Sequence, residues 1–419
     1  MNAYTGKLRC VRCGAGYPEP ALDLIGAGCP ACAAAGVPAN VLPVYDLTGL
    51  DHLTAADGEP GIFRYRALLP LSSGTAPVSL GEGGTPVVDL PVLAESTGLR
   101  RVWVKDESRN PTWSYKDRLA AVATTKAVEV GAETVVVAST GNHGAAVAAY
   151  AARAGLRCVV LTIASVPMTM KTLMQAYGAE VVALPRPADR WHLMRELVAA
   201  RGWMAMSGYA DPPAGSHPYG VDGYKTIAYE LVEQLPAPPD VVVVPVAYGD
   251  GLSGIARGFA DLVALGTIGR MPRLIAAEPF GPLAEALAAG SETAGPVPVR
   301  PSVAFSTASP YGTQQSLEAL RSSGGAAVAT PDDEEIIAAQ LALAGQAGIY
   351  LEASSATAAV ALRKAAAEGL IGPDETAVII GTSSGLKDVG TTAARLSEVP
   401  VIEPSIEALD GVLAARSAR

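Results

Sequence analysis

From residue 134 onward the chain alternates two hydrophobic patterns. Short apolar runs rich in β-branched residues, TVVVAS at 134–139, CVVLTI at 158–163, VVVVPV at 241–246 and AVIIGT at 377–382, read as strands buried on both faces. Three of them lead into alanine-rich or amphipathic stretches of helical period: GNHGAAVAAYAARAG, VPMTMKTLMQAYGA and GLSGIARGFADLVALG. Fully apolar strands followed by helices predict parallel sheets covered on both sides, and therefore an α/β fold. The proline cluster LPAPPD at 235–240 reads as a helix-to-strand turn, and residues 46–75, mixed and ending near SSGTAP, read as a linker. No repeat of solenoid length interrupts this order.

Composition narrows the class. Hydrophobic residues make up 49% of the 419 positions and charged ones 17%, which suits filled cores and argues against disorder. A formal net charge of −10 should repel a phosphate backbone and an anionic membrane surface, so neither nucleic acid nor membrane is an expected partner. The first residues, MNAYTGKLRC, contain no apolar signal segment, and later apolar runs are short or broken; a soluble, cytoplasmic protein is expected. Of five cysteines, four form two pairs, Cys10-x2-Cys13 and Cys29-x2-Cys32. That spacing predicts a structural, tetrahedral zinc site in a ribbon over 1–45, a segment too small to bury a core of its own. The fifth, Cys158, falls inside a strand pattern and reads as a buried small residue.

In parallel α/β sheets, ligands bind beyond the carboxyl ends of strands, and three such junctions carry candidate chemistry. Ser139-Thr140-Gly141-Asn142-His143-Gly144 opens a helix with small residues and free amides, a seat for a carboxylate or phosphate, although such residues are also ordinary helix caps. Ala247-Tyr248-Gly249-Asp250-Gly251 offers a glycine-rich turn where a phosphate could meet backbone amides, with the Asp250 carboxylate an awkward neighbour for it. Gly381-Thr382-Ser383-Ser384-Gly385 offers neutral hydroxyls, alone no more than a polar turn. Lys116, in NPTWSYKDR at 110–118, supplies a primary amine; an aldehyde cofactor with a phosphate tail would need such an amine, an anion seat and a polar wall together.

The series SLGEGGTP, VKDESRNPTWSYKDR, ASTGNHGAAVAAYAARAG, DGYKT, VVVVPV and GTSSGLKD closely resembles, in order, the threonine synthase family of pyridoxal-phosphate enzymes, fold type II, of the tryptophan synthase β type. The resemblance implies two domains with parallel twisted sheets behind the small zinc ribbon: a larger one over 76–100 and 208–400, a nested smaller one over 101–207, and a tail over 401–419. It implies that Lys116 holds the cofactor covalently and later moves protons at the substrate carbons. Asn142 would bond the cofactor's phenolic oxygen, while Ser139, Thr140 and His143 would seat a substrate carboxylate. Ala247, Tyr248, Gly249, Asp250 and Gly251 would surround the cofactor phosphate, and Thr382 would face the ring nitrogen. A homodimer acting on a small amino acid, by elimination or replacement at the β or γ carbon, is the implied assembly and activity.

The chain departs from the family pattern in places that bear on substrate. Trp113 stands where glycine is usual and, with Ser114, is expected to shape the substrate pocket. STGNHG resembles the serine and threonine dehydratase branch. In GSHPYGVDGYKT, His217 and Gly220 occupy places where an asparagine and an arginine usually meet a substrate phosphate, and Thr172 replaces a lysine, with Lys171 adjacent. Recognition of O-phosphohomoserine is therefore not expected. A dehydratase-like or cysteate-synthase-like enzyme is the alternative, and a decayed zinc-ribbon binding protein a further one. His217 could handle a proton or be a surface loop residue; His52 and His192 carry no motif.

Overall fold

The computed structural model describes residues 2–50, 53, 55–56 and 58–417; His52 lies outside them. The N-terminal ribbon is a three-stranded antiparallel sheet of β1 (Tyr4–Cys10), β2 (Gly16–Pro18) and β3 (Val41–Tyr45), with β1 in the centre. It does not stand apart: Leu8, Cys10, Cys29, Cys32 and Val41 belong to the same buried cluster as the main body. Asn40 Nδ2 donates to Gln315 Oε1 at 2.9 Å and Tyr45 Oη to Asp222 Oδ2 at 2.6 Å, tying the ribbon to the body. Within the stretch expected as a linker, residues 61–68 are likewise packed. A run of 3-10 turns, Gly61–Leu68, buries Ile62, Phe63, Tyr65 and Leu68, and Lys225 Nζ donates to the Leu68 carbonyl at 2.9 Å. Its turn-rich composition hid apolar residues that have a surface to cover.

The body contains β4 (Val87–Asp89), β5 (Arg101–Asp106), β6 (Thr134–Ala138), β7 (Arg157–Ile163), β8 (Glu180–Leu184), β9 (Met204–Ala205), β10 (Val241–Pro245), β11 (Arg273–Glu278), β12 (Ala326–Ala329) and β13 (Thr376–Gly381). They form a six-stranded sheet, β12-β11-β10-β13-β5-β4, parallel except for β4, and a four-stranded parallel sheet, β8-β7-β6-β9. Six helices bear on the candidate site and its frame: α1 (Lys116–Glu129), α2 (Asn142–Ala154), α3 (Asp189–Arg201), α4 (Lys225–Gln234), α5 (Asp250–Ala264) and α6 (Ala353–Ala367). The apolar runs predicted as double-faced strands are β6, β7, β10 and β13, and Val135 to Val137, Val241 to Val244 and Ala377 to Ile380 are fully buried. One boundary is corrected. β5, expected to open the smaller nested domain at 101, pairs in register with β13 from Arg101↔Thr376 to Asp106↔Gly381, so it belongs to the larger sheet. VWVK reads as a strand but carries no signal for which sheet it joins.

Beneath α1 lies a fully buried ion cluster. Arg118 donates from Nε and Nη2 to both Glu107 oxygens, at 2.7 and 2.8 Å, and from Nη1 and Nη2 to both Glu230 oxygens, at 2.7 Å each. Lys105 Nζ adds Glu230 Oε2 at 2.6 Å, the Thr85 carbonyl at 2.7 Å and Gln234 Oε1 at 2.8 Å. Burial alone would raise both carboxyls; the Arg118 guanidinium and Lys105 outweigh it and hold them below the ordinary range. The cluster locks β5, α1 and α4 together at the start of the lysine segment.

Candidate active site

The three strand-to-helix junctions converge. Ser139 to His143 after β6, Ala247 to Gly251 after β10 and Thr382 after β13 line one cavity of about 580 Å³, and Lys116, at the first position of α1, opens into it. The convergence follows from parallel topology, because β10 and β13 are neighbours and their carboxyl ends face the same crevice as that of β6. Tyr115 and Tyr224 flank the lysine, their ring centroids 4.8 and 5.6 Å from Nζ.

The glycine-rich turn is built for close approach. Gly249 has φ +72°, and a Cβ there would sit 1.7 Å from Ser316 Oγ; one on Gly251 would lie 2.6 Å from the Tyr115 ring. With no room for side chains, the first amides of α5 face the cavity unpaired within the helix, a seat for an anion. Asp250 shares this turn, but its Oδ1 is occupied, accepting from Ser216 N at 2.9 Å and Gln315 Nε2 at 2.7 Å. Burial pushes its carboxyl up, against the pull of Lys116 and these donors.

At the β6 junction, Ser139 Oγ accepts from Gly141 N at 3.2 Å and Gly144 N at 2.9 Å, shaping the loop rather than pointing freely outward. Asn142 is fixed on both sides. Its Oδ1 accepts from Lys387 Nζ at 2.8 Å, and its Nδ2 donates to Glu352 Oε2 at 2.8 Å. A lysine can only donate, so the amide has one possible orientation. His143 keeps a buried Nε2 without a partner among the described residues; burial, Lys116 and His217 lower its imidazole to about 3, so it is neutral. Thr382 Oγ1 shares a hydrogen bond with Ser355 Oγ at 2.7 Å and presents a neutral hydroxyl to the cavity.

Three expected residues do not line the cavity. Trp113 has φ +60° and is 42% exposed, so it does not narrow the pocket. Its carbonyl is pinned, accepting from Ser384 N at 3.0 Å and Ser383 Oγ at 3.2 Å, and that docking holds the backbone left-handed where glycine would be unstrained. Ser114 is buried, pairs with Ser383 and leaves its hydroxyl without a partner among the described residues. His217 is neither at the surface nor in the pocket wall: it caps a short helix through Nδ1, which accepts from Gly220 N at 3.1 Å, and burial lowers it to about 3. Sequence reasoning missed Tyr224, Glu352, Lys387 and Arg190. Lys387 stands inside the GLKD motif and burial lowers it to about 8, but nothing in that string says that it faces Asn142.

In the ribbon the four Sγ atoms of Cys10, Cys13, Cys29 and Cys32 lie within 4.8 Å of one another and could hold a metal ion. Tyr17 Oη lies 3.1 Å from Cys29 Sγ. Against the effect of burial, this contact and neighbouring donors bring the Cys29 thiol down to about 7. Among the described residues, no helix is long and apolar enough to cross a membrane.

Residues 78–383 match the family model described as pyridoxal-phosphate dependent enzyme. The chain is 35% identical over 410 residues to a threonine synthase of Methanosarcina acetivorans, covering 96% of this chain and 97% of that one. It is 36% identical over 364 residues to a threonine synthase of Methanocaldococcus jannaschii, covering 85% and 87%. Among solved structures it is similar to a pyridoxal 5'-phosphate-dependent aspartate racemase, with TM-score 0.61, 26% identity and 72% and 90% of the chains covered. An O-ureido-L-serine synthase matches at TM-score 0.60 and 25% identity, over 79% and 96%.

Proposed function

Since the chain belongs to the pyridoxal-phosphate dependent enzyme family, in its threonine-synthase-like branch, we propose that its cavity binds that cofactor at Lys116 and converts a small amino acid by elimination or replacement at the β or γ carbon. The observation that carries this reading is the meeting of Lys116 with the Gly249–Gly251 turn and the Thr382 hydroxyl in one cavity. Their chemistry fits the group: an amine for the aldehyde, unpaired amides for the phosphate and a neutral hydroxyl for the ring nitrogen. When bound, the cofactor withdraws electrons from the substrate's α-carbon and so acidifies its proton.

Around that chemistry the chain's own groups have separate tasks. Lys116 Nζ is the wall group that would accept and return a proton at the substrate's α-carbon. Thr140 and neutral His143, on the loop that Ser139 shapes, would receive the substrate carboxylate, while the Asn142 amide, oriented by Lys387, would donate toward the cofactor's phenolic oxygen. A neutral hydroxyl at Thr382 would do little to hold a proton on the ring nitrogen, which would put more of the choice of reaction on protein groups. The Cys10, Cys13, Cys29 and Cys32 thiolates hold a structural zinc ion, a role supported by their spacing and convergence. We read the protein as a cytoplasmic homodimer.

Standard recognition of O-phosphohomoserine is not part of this reading, because Gly220 and buried His217 supply no side chain to a substrate phosphate. STGNHG favours a dehydratase-like or cysteate-synthase-like reaction as the second reading. Catalytic decay is disfavoured by the assembled cavity. The test is to load the protein and supply O-phosphohomoserine, O-phosphoserine, serine and threonine, following phosphate, oxo-acid and new amino acid. Visible absorbance should appear on loading and vanish in Lys116→Ala. A colourless wild type would contradict the cofactor assignment, and threonine formed rapidly from O-phosphohomoserine would contradict the exclusion of that substrate.

A further inference from the structure

The same cavity contains a second cation that the cofactor reading leaves unused. Arg190, the second residue of α3, is 8% exposed and lines the cavity beside Pro187, Trp191 and Tyr248. Among the described residues, its one hydrogen bond runs from Nε to the Pro187 carbonyl at 2.9 Å, and no carboxylate pairs with it. The neighbouring acid, Asp189, is taken by Arg186, whose Nη2 lies 2.9 Å from Asp189 Oδ1. Elsewhere a buried arginine is saturated: Arg118 makes contacts from Nε, Nη1 and Nη2 to two glutamates. A guanidinium withdrawn from water without a counter-ion is costly, and burial does pull Arg190 below its ordinary basicity. Its Nη1 and Nη2 are the two parallel donors left over, a geometry matched to a planar oxyanion.

Arg190 reaches the cavity from α3, with Pro187 and Trp191 beside it in the wall, whereas Lys116 enters at the start of α1 between the rings of Tyr115 and Tyr224. The α-carboxylate seat at Ser139 to His143 is already provided on the lysine side. Among the described residues, Lys116 and Arg190 are the two cationic side chains of the wall, His143 being neutral, and the first is committed to the cofactor. One free positive charge balances one negative charge, not two.

Resting on the functional reading above, we infer that Arg190 is a specificity residue that receives a singly charged oxyanion, a carboxylate or sulfonate, at the end of the substrate's side chain. It recognises this group from α3, a different element from the 215–226 segment that carries His217 and Gly220.

The test uses cofactor-loaded wild type, Arg190→Gln and Arg190→Lys, titrated with L-aspartate, L-cysteate, O-phospho-L-serine and L-serine while the visible spectrum reports binding. Thermal midpoints and cofactor dissociation constants are measured alongside. Arg190→Gln should weaken aspartate, cysteate or both by about 10- to 100-fold and leave serine within about twofold, with Arg190→Lys in between. Retained affinity for the two monoanions, equal loss for serine, a larger loss for phosphoserine, or a main loss of cofactor affinity each overturns the inference while leaving the functional reading standing. A wild type that takes up no cofactor overturns both.

Discussion

Two sets of buried charge lie on either side of the Lys116 segment, and they are built on opposite terms. Below α1, Arg118, Lys105, Glu107 and Glu230 saturate one another through short hydrogen bonds and leave no donor idle. In the cavity, among the described residues, Arg190 has no acid and His143 Nε2 has no partner. Burying polar groups is tolerable when they are satisfied, so the first set is complete without a ligand and the second is not.

Removing one member from each set should separate them most. Arg118→Leu leaves the buried Glu107 carboxylate without a counter-ion and Glu230 with Lys105 alone, and should cost about 3–5 kcal/mol in denaturant unfolding. Arg190→Gln in the unloaded protein should cost less than about 1 kcal/mol, because no protein ion pair is lost. Equal losses would erase the distinction.

The pH dependence sharpens it. His217 has a folded value near 3 and an unfolded one of about 6.5, so the unfolded state binds the extra proton between them. Its contribution to stability is full above about 6.5 and falls with pH by up to ~1.4 kcal/mol per pH unit toward 3. Glu107 and Glu230, held low, contribute above about 4.3 and lose that contribution only in stronger acid. His217→Asn keeps an acceptor for Gly220 N and should flatten the curve of unfolding free energy between about pH 6.5 and about pH 4 relative to wild type. Parallel curves for the two proteins would contradict this.

The smallest effect concerns Trp113. Glycine there removes the left-handed strain and should stabilise the fold by about 1 kcal/mol with cofactor affinity unchanged, read from the thermal midpoint and a cofactor titration. A fall in cofactor affinity would return the tryptophan to the site from which its exposure excludes it.

The same contrast explains what could be read from the sequence. Apolar runs such as VVVV at 241–244 report both their strand state and their double burial, and Lys116, Gly249, Asn142 and Thr382 sit at junctions whose position follows from parallel topology. Side-chain direction is set otherwise. Trp113 turns outward because its carbonyl docks on Ser383 and Ser384, some 270 residues on, and His217 turns inward to cap a four-residue helix. Glu352, Lys387 and Arg190 reach Asn142 or the cavity from distant elements, with no local motif to announce them. The membership of β5 in the larger sheet was hidden for the same reason, since pairing partners leave no mark on a strand.

The central claim is that Lys116 holds the cofactor. Loading the protein with pyridoxal phosphate, reducing it with borohydride and mapping the modified peptide tests this directly. The modification is predicted on Lys116 alone; modification of Lys387, whose ammonium is eased to about 8 beside Asn142, or of no lysine, would contradict it.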